Sequence, residues 1–159
     1  MSSFRVREAK SADRDAIGLL WRELMHYHRS LDERFTIAPN GEVKYMRHAV
    51  DMMRSRNAMV LVAEDIASGE ILGYLMAELQ TRPAIAMPGL YGFISDICVQ
   101  EAWRHRGIGR ALFDEIMVWF VAKKAQAIEL YIAEANPESA AFWSAMGLSP
   151  FLKLLHLDL

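Results

Sequence analysis

Hydrophobic residues recur along the chain with a helical period in some stretches and with a strand period in others. In the first amphipathic stretch, Ile17, Leu20 and Leu24 share one helical face, which predicts a helix capped at Ser11 or Asp13. A continuous apolar run, AMVLVAED, favours a strand buried on both faces. We predict the order β-α-α-β-β-β-α-β-α-β, with elements at residues 4–8, 11–28, 42–56, 58–65, 71–79, 90–99, 107–125, 127–133, 136–146 and 151–157.

Turn residues separate these elements, but no linker divides the chain. Ser68-Gly69 lies between two strands and predicts a hairpin turn, and Gly147 predicts the end of the last helix. The proline-containing loop at residues 82–89 is the segment that we expect to form a substrate-specific lip. The uninterrupted length of 159 residues predicts a single α/β domain over residues 1–159.

The composition limits the functions that need to be considered. Hydrophobic residues make up 53% and charged residues 24%, as expected for a protein with a packed core. The net charge of −2 provides no basis for binding nucleic acid or an anionic membrane, and no apolar run approaches membrane-spanning length. The single cysteine, Cys98, cannot form an internal disulfide and lies in an apolar strand, which favours a cytoplasmic location.

A basic turn that contains two glycines follows the sixth predicted element, a strand. Glycines at a helix start leave backbone N–H groups uncovered, and these groups, the helix dipole and three arginines predict an anion site for a phosphate-bearing ligand. A dinucleotide-binding turn is the alternative, but Leu112 stands at the third glycine position of that pattern and no second βαβ half follows. The turn consists of Arg104, His105, Arg106, Gly107, Ile108, Gly109 and Arg110.

Two motifs at the expected separation carry a resemblance to a known family. Residues 97–113, ICVQEAWRHRGIGRALF, combine an apolar strand end with Arg-x-x-Gly-x-Gly and a helix. Residues 136–148, NPESAAFWSAMGL, place an Asn before a small residue, an aromatic pair and a Gly-aliphatic end. Together they resemble the GCN5-related N-acetyltransferase (GNAT) superfamily. The resemblance covers nearly the whole chain and implies a mixed, mostly antiparallel sheet with splayed strands 4 and 5, flanked by four helices, and acetyl-CoA as cosubstrate.

The resemblance also implies which residues bind acetyl-CoA. The pantetheine arm would lie along the fourth strand, and the pyrophosphate would lie within the basic turn. Asn136 would contact the pantetheine or the acyl group, although an asparagine here is also a plain helix N-cap. The full set implied in this way is Ile97, Cys98, Val99, Arg104, His105, Arg106, Gly107, Ile108, Gly109, Arg110, Asn136, Ser139 and Trp143.

Trp143 stands where many members of the family carry a tyrosine that protonates the departing thiolate. An indole N–H donates a hydrogen bond but does not release a proton, so Trp143 cannot be the general acid. The sequence favours two locations for Trp143 equally: against the acyl-thioester region of the cofactor, or in the hydrophobic core. Ser139, Tyr131 or a bound water would then supply the proton.

An acidic residue inside the fourth strand is our candidate for the general base or the substrate anchor. Asp96 lies three residues before Val99, near the place where polyamine-acetylating members of the family often carry an acidic pair. A structural hydrogen bond is the alternative explanation, and Glu78 is a weaker candidate for the base. His26 and His28 stand two apart on a helix and cannot bind one metal ion, so we predict no metal site.

The predicted activity is direct transfer of an acetyl group from acetyl-CoA to the primary amine of a small molecule. Direct transfer is expected because no motif marks a nucleophile that would carry the acetyl group. A protein or peptide amine is the alternative acceptor, and a non-catalytic acyl-CoA-binding module is the alternative class. Members of the family are often dimers, and the C-terminal segment FLKLLHLDL could pair with a second copy.

Overall fold

The computed structural model describes residues 3–83, 85 and 87–159, so the predicted lip at 82–89 lies partly outside the described residues. Helix ends differ from the predictions by up to three residues, and short 3-10 turns at Ser11–Asp13 and Glu101–Trp103 precede two of the helices. The strands are β1 (Phe4–Glu8), β2 (Ala58–Asp65), β3 (Ile71–Thr81), β4 (Leu90–Val99) and β5 (Ile128–Glu129). The helices are α1 (Arg14–Leu31), α2 (Gly41–Arg54), α3 (Ile108–Ala122) and α4 (Pro137–Ala145).

The five strands form one mixed sheet in the order β1-β2-β3-β4-β5. The pairs among β1 to β4 are antiparallel, and β5 runs parallel to β4. The parallel ladder covers only two positions, in which Gly92 faces Ile128 and Phe93 faces Glu129. Beyond this point β4 and β5 diverge, which confirms the splayed strands that the sequence resemblance implies.

Helices cover the sheet on both faces. Ile17 of α1 is buried in one cluster with Tyr74 of β3, whereas Leu112 of α3 and Trp143 of α4 are buried in another with Leu75. Tyr74 and Leu75 are consecutive, and consecutive side chains of a strand point to opposite faces. Two buried faces explain why the central strands are apolar along most of their length.

A β-bulge in β4 sets the direction of the Asp96 side chain. Met76 pairs with Asp96 and Ala77 pairs with Ile94, so Ser95 is the extra residue of the bulge. Because strand side chains alternate, this extra residue brings Asp96 to the same face as Met76, under α1 and α2. Without the bulge, the carboxylate would point into the opposite core, under α3.

The predicted strand at residues 151–157 is wrong. Residues 149–159 form no helix or strand, and their apolar side chains are exposed, 68% at Phe151 and 89% at Leu155. A strand needs a neighbour to satisfy its backbone, and no part of the described chain pairs with this tail. The strand predicted at 127–133 is also too long, because the ladder with β4 ends at Glu129.

Candidate active site

Backbone N–H groups at the start of α3 are free to bind an anion. Within the described chain, the N–H groups of residues 105 to 110 donate to no protein acceptor. The backbone is left-handed at His105 (φ 58°) and again at Gly107 (φ 84°), a geometry that favours a concave arrangement of N–H groups. Together with the N-terminal dipole of α3, these free groups have the arrangement expected of an anion site, and anion binding here stays a prediction.

The two glycines of the turn serve different purposes. A Cβ atom at Gly107 would meet nothing within 4 Å, so this glycine is needed for its positive φ and not for space. A Cβ atom at Gly109 would lie 3.0 Å from the Phe142 ring, so this glycine allows α3 to approach α4. Arg106 and Arg110 are exposed beside the turn and add positive charge.

Glu138 already neutralises part of the charge around the turn. Arg104 donates from Nε to the carbonyl oxygen of Val99 at 3.2 Å, and its Nη1 lies 3.7 Å from Oε2 of Glu138. His105 Nε2 lies 3.9 Å from the other oxygen of the same carboxylate. The Glu138 carboxylate therefore occupies a position to which Arg104 would attract a phosphate.

The end of β4 has one paired edge and one open edge. Ile97, Cys98 and Val99 pair with β3 on one side, while β5 has already diverged on the other. Their side chains are packed in the two cores, so the backbone is what this segment offers to a ligand. Burial raises the pKa of the Cys98 thiol to about 12, and its Sγ lies 3.5 Å from the Leu20 carbonyl oxygen. This thiol is therefore neutral at physiological pH.

Asn136 is the N-cap of α4. Its Oδ1 accepts a hydrogen bond from the backbone N–H of Ser139 at 3.0 Å, which confirms the capping interpretation. The residue is 5% exposed, and no described residue accepts from its Nδ2. The cap uses Oδ1 of the Asn136 amide, whereas a ligand contact would use Nδ2, so the two roles are compatible. The contact with acetyl-CoA stays a prediction.

Trp143 is part of the hydrophobic core. Its side chain is 6% exposed and packs edge-on against Phe113 and Phe142, at ring distances of 5.8 and 4.9 Å. These contacts correspond to the alternative in which Trp143 is a core residue. A contact between Trp143 and the acyl group stays a prediction.

Asp96 is held by a tyrosine from α2. Tyr45 donates a hydrogen bond to Oδ2 of Asp96 at 2.9 Å, and no described residue donates to Oδ1. Burial raises the pKa of Asp96 to about 6, and the Tyr45 hydrogen bond opposes that increase. Sequence reasoning missed the contact between Tyr45 and Asp96. The available signal was the helical spacing of Tyr45 with Ala49 and Met52, since a buried tyrosine needs a partner for its hydroxyl.

A chain of polar side chains continues from Asp96 along the same face of the sheet. Gln80 donates to Glu78 at 2.9 Å and accepts from the Tyr91 hydroxyl at 2.7 Å. Arg82 stacks over the Tyr91 ring at 3.8 Å and forms an ion pair with Glu129 of β5 at 2.5 Å. This arrangement joins β3, β4 and β5 at residues that are only partly buried.

Two aromatic residues complete this surface. Phe93 pairs with Glu78 in the ladder, and its ring packs against Tyr131 at 5.4 Å. Tyr131 is 75% exposed, so its hydroxyl is accessible to a ligand. We define the polar face as the surface formed by Glu78, Gln80, Tyr91, Phe93, Asp96, Glu129 and Tyr131.

Comparison with known protein families shows which family this chain belongs to. The model of the family described as "Acetyltransferase (GNAT) family" matches residues 20–148 of this chain. The chain belongs to the GNAT family. This GNAT protein is therefore an N-acetyltransferase that uses acetyl-CoA, which confirms the family, the enzyme class and the cosubstrate predicted from the sequence. No curated protein matches its sequence.

Solved structures share the fold of this GNAT protein. A variant of the BH1408 protein from Bacillus halodurans is 25% identical, with a TM-score of 0.85 and coverage of 98% of this chain and 99% of that one. AAC(6')-Iy bound to a bisubstrate analogue is 14% identical, with a TM-score of 0.78 and coverage of 99% and 98%. The aminoglycoside 6'-N-acetyltransferase AAC(6')-IG from Acinetobacter haemolyticus is 16% identical, with a TM-score of 0.76 and 97% coverage of both chains. At these identities, the last two comparisons support the fold alone.

Neither a membrane-spanning helix nor a metal-binding cluster is found in the part of the chain that the structure describes. None of its helices combines the length and the hydropathy needed to cross a membrane. No group of three histidine, cysteine or acidic side chains in the same residues is arranged to hold a metal ion.

Proposed function

We propose that this GNAT protein transfers the acetyl group of acetyl-CoA directly to the primary amine of a small cationic molecule. The proposal rests chiefly on one observation. Asp96 lies next in the chain to the β4 backbone at residues 97–99, which has an open edge, and this segment leads into the free N–H groups of residues 105–110. A carboxylate for the amine and a binding path for acetyl-CoA are thus adjacent on one strand.

The residues of the turn and of β4 fit the phosphate and amide groups of acetyl-CoA. The free N–H groups at 105–110 would bind the pyrophosphate, with charge added by Arg106 and Arg110. Backbone groups of Ile97 to Val99 would bind the pantetheine arm as an added strand, and the free Nδ2 of Asn136 would donate to it. Ser139 would lie close to the cofactor at the same helix end.

Asp96 supplies the base for the reaction. Primary amines are mostly protonated at neutral pH, so Asp96 accepts a proton from the ammonium group, directly or through water. The amine nitrogen then bonds to the thioester carbonyl carbon, whose oxygen is polarised by backbone N–H groups near Val99. The carbon–sulfur bond breaks, its electron pair stays on sulfur, and the sulfur takes a proton from Ser139, Tyr131 or water. The attacking nitrogen releases its second proton to water, which restores the proton donor. The products are the N-acetyl amine and CoA.

The state of Cys98 supports direct transfer. Cys98 is the single cysteine of the sequence, and its thiol is buried, neutral and hydrogen-bonded to a backbone carbonyl oxygen. A thiolate is the reactive form of cysteine, so a pKa of about 12 argues against an acetyl-cysteine intermediate. A free, buried thiol also fits the reducing cytoplasm that the sequence predicts.

The polar face supports a small cationic acceptor. It carries the carboxylates of Glu78 on β3 and Asp96 on β4 beside the aromatic rings of Phe93 and Tyr131, whereas the Glu129 carboxylate on β5 is already paired with Arg82. Carboxylates and aromatic faces are the groups that attract ammonium ions. Among proteins of this fold, one aminoglycoside acetyltransferase is solved with sisomicin and AAC(6')-Iy with an acetylneamine bisubstrate analogue.

Binding of acetyl-CoA and release of its thiol test the proposal. Acetyl-CoA at a hundredfold excess over its Kd should stabilise the protein by about 2.7 kcal/mol. Gly107→Trp should abolish this effect. Gly69→Trp is the matched control, because Gly69 also has a positive φ and open space but lies in the β2–β3 hairpin.

Thiol release should then be measured over a panel of polyamines, aminoglycosides, amino acids and peptides. Release with small cationic amines supports the proposal. Release with peptides alone would contradict the proposed acceptor class, and binding without release across the panel would contradict the enzyme mechanism.

We also propose that the chain forms one domain over residues 1–159 and assembles as a homodimer through its C-terminal tail. The tail exposes a run of large apolar side chains, and the edge of β5 beyond Glu129 is open in the described chain. A second copy offers both a matching tail and a matching edge. Light scattering of the whole chain should report a dimer, and deletion of residues 151–159 should yield a monomer. A monomeric whole chain at micromolar concentration would overturn the assembly.

A further inference from the structure

Three hydrogen-bonding groups meet at the hydroxyl of Tyr45. Its oxygen lies 2.9 Å from Oδ2 of Asp96, 3.1 Å from the Tyr74 hydroxyl and 3.2 Å from Sδ of Met76. A hydroxyl has one proton to donate, and a carboxylate is a stronger acceptor than a neutral oxygen or a thioether. The Tyr45 proton therefore goes to Asp96, and Tyr74 donates its own proton to the Tyr45 oxygen.

We propose that Tyr45 is a positioning residue of the acetyl transfer. It holds one carboxylate oxygen of Asp96 so that the other points toward the amine, and Tyr74 orients Tyr45 from behind. This inference rests on the proposed role of Asp96 as the base.

The surroundings of Tyr45 leave its hydroxyl little freedom. The Trp21 ring of α1 stacks on the Tyr45 ring, with centroids 4.6 Å apart and planes 12° apart. Tyr74 is fully buried in β3, and the bulge at Ser95 directs Asp96 to this face. Four elements, α1, α2, β3 and β4, thus converge on one hydrogen bond.

One oxygen of Asp96 is left for the substrate. In the described part of the chain, Oδ2 accepts from Tyr45 while Oδ1 has no protein donor. No buried side-chain oxygen in that part lacks a partner, so Oδ1 is in contact with solvent. A carboxylate fixed at one oxygen and open at the other can accept a proton in a defined direction.

Tyr45 also influences the proton affinity of Asp96. The other titratable groups around the pair are Tyr74 from β3, His48 from α2 and Cys98 from β4. Burial and the negative charge of Asp96 raise the pKa of Tyr45 well above its usual value, so Tyr45 stays a proton donor at every working pH. Its hydrogen bond lowers the pKa of Asp96 against the larger effect of burial.

A carbon-13 NMR titration of the Asp96 carboxyl group tests the role of Tyr45 without an amine substrate. Tyr45→Phe keeps the ring stacked on Trp21 and removes only the hydroxyl, and we expect the Asp96 titration to move up by about one pH unit. Tyr74→Phe is the matched control, because it removes a buried hydroxyl that does not touch Asp96, and it should move the titration by less. Difluorotyrosine at position 45 is a stronger donor and should move it down. A titration that does not move up in Tyr45→Phe, or that moves equally in both variants, overturns the proposal.

The same variants then connect the hydrogen bond to the reaction. The acidic limb of kcat/KM, measured by thiol release with the best amine of the panel, should move up in Tyr45→Phe as the NMR titration does. Acetyl-CoA affinity should stay unchanged in that variant. An unmoved limb in an active enzyme overturns the role of Tyr45 alone, whereas a wild-type protein without thiol release overturns the proposed function and this role with it.

Discussion

Replacement of Asp96 by asparagine should stabilise this protein at neutral pH and have little effect in acid. Burial raises the pKa of Asp96 from its ordinary value of 3.8 to about 6. The folded state therefore binds the Asp96 proton more tightly than the unfolded state does. This stabilising contribution is fully present below pH 3.8 and is lost as the pH rises through about 6. An asparagine side chain has no such proton, and its amide oxygen still accepts from Tyr45.

The size of the effect follows from the two pKa values of Asp96. They differ by 6 − 3.8, about 2.2 pH units. Each unit corresponds to about 1.4 kcal/mol, so the ionised carboxylate costs the folded state about 3 kcal/mol at pH 8. At pH 4 the folded carboxyl is protonated and the unfolded one is slightly more than half ionised, so the same linkage gives only about 0.5 kcal/mol. The advantage of Asp96→Asn should thus grow by about 2.5 kcal/mol from pH 4 to pH 8.

Urea unfolding of the wild type and of Asp96→Asn at both pH values measures this difference. Other carboxylates titrate in both proteins, so their contributions cancel in the comparison. Glu129→Gln is a control, because it removes another carboxylate of the polar face, one that pairs with Arg82. The reasoning is refuted if the stability difference between the wild type and Asp96→Asn is the same at pH 4 and pH 8. The variant should also lose acetyl transfer while it still binds acetyl-CoA.

Three further substitutions test the turn and the cap. Asn136→Ala should lower the free energy of unfolding by about 1 kcal/mol, because the N-cap of α4 is lost. Ser139→Ala should not lower it, because the backbone N–H that donates to Asn136 is kept. Equal losses of stability in urea unfolding would contradict the role of Asn136 as a cap. Glu138→Gln should tighten acetyl-CoA binding several-fold at low salt, by calorimetry, because it frees the Arg104 cation of the turn; an unchanged Kd would count against competition with phosphate. Gly107→Ala and Gly69→Ala should both lose about 1 kcal/mol of stability to their positive φ, but only the first should weaken acetyl-CoA binding.

Local patterns in the sequence were sufficient for most of the fold. The first four strands and all four helices form within a few residues of their predicted bounds, because hydrophobic period and turn residues are local signals. The glycines of the basic turn likewise predicted free N–H groups at the start of α3, since a helix start leaves its first donors unpaired wherever it lies.

Pairing between distant segments could not be predicted in the same way. Residues 151–157 have the composition of a strand, yet they form none because no neighbouring strand is offered to them. The length of β5 was overestimated for a related reason, since it is limited by where β4 diverges. Composition indicates that a segment can be a strand, and only the partner decides whether it becomes one.

By itself, the sequence determined that Asp96 stands in an apolar strand beside a basic turn that is predicted to bind an anion. Only the tertiary structure decided which way that carboxylate points, because the bulge at Ser95 depends on the register between β3 and β4. The tertiary structure alone also brought Tyr45, fifty-one residues away in the chain, to within hydrogen-bond distance of it. A hydrogen bond between such distant residues depends on how α2 packs on the sheet, and no local pattern records that geometry.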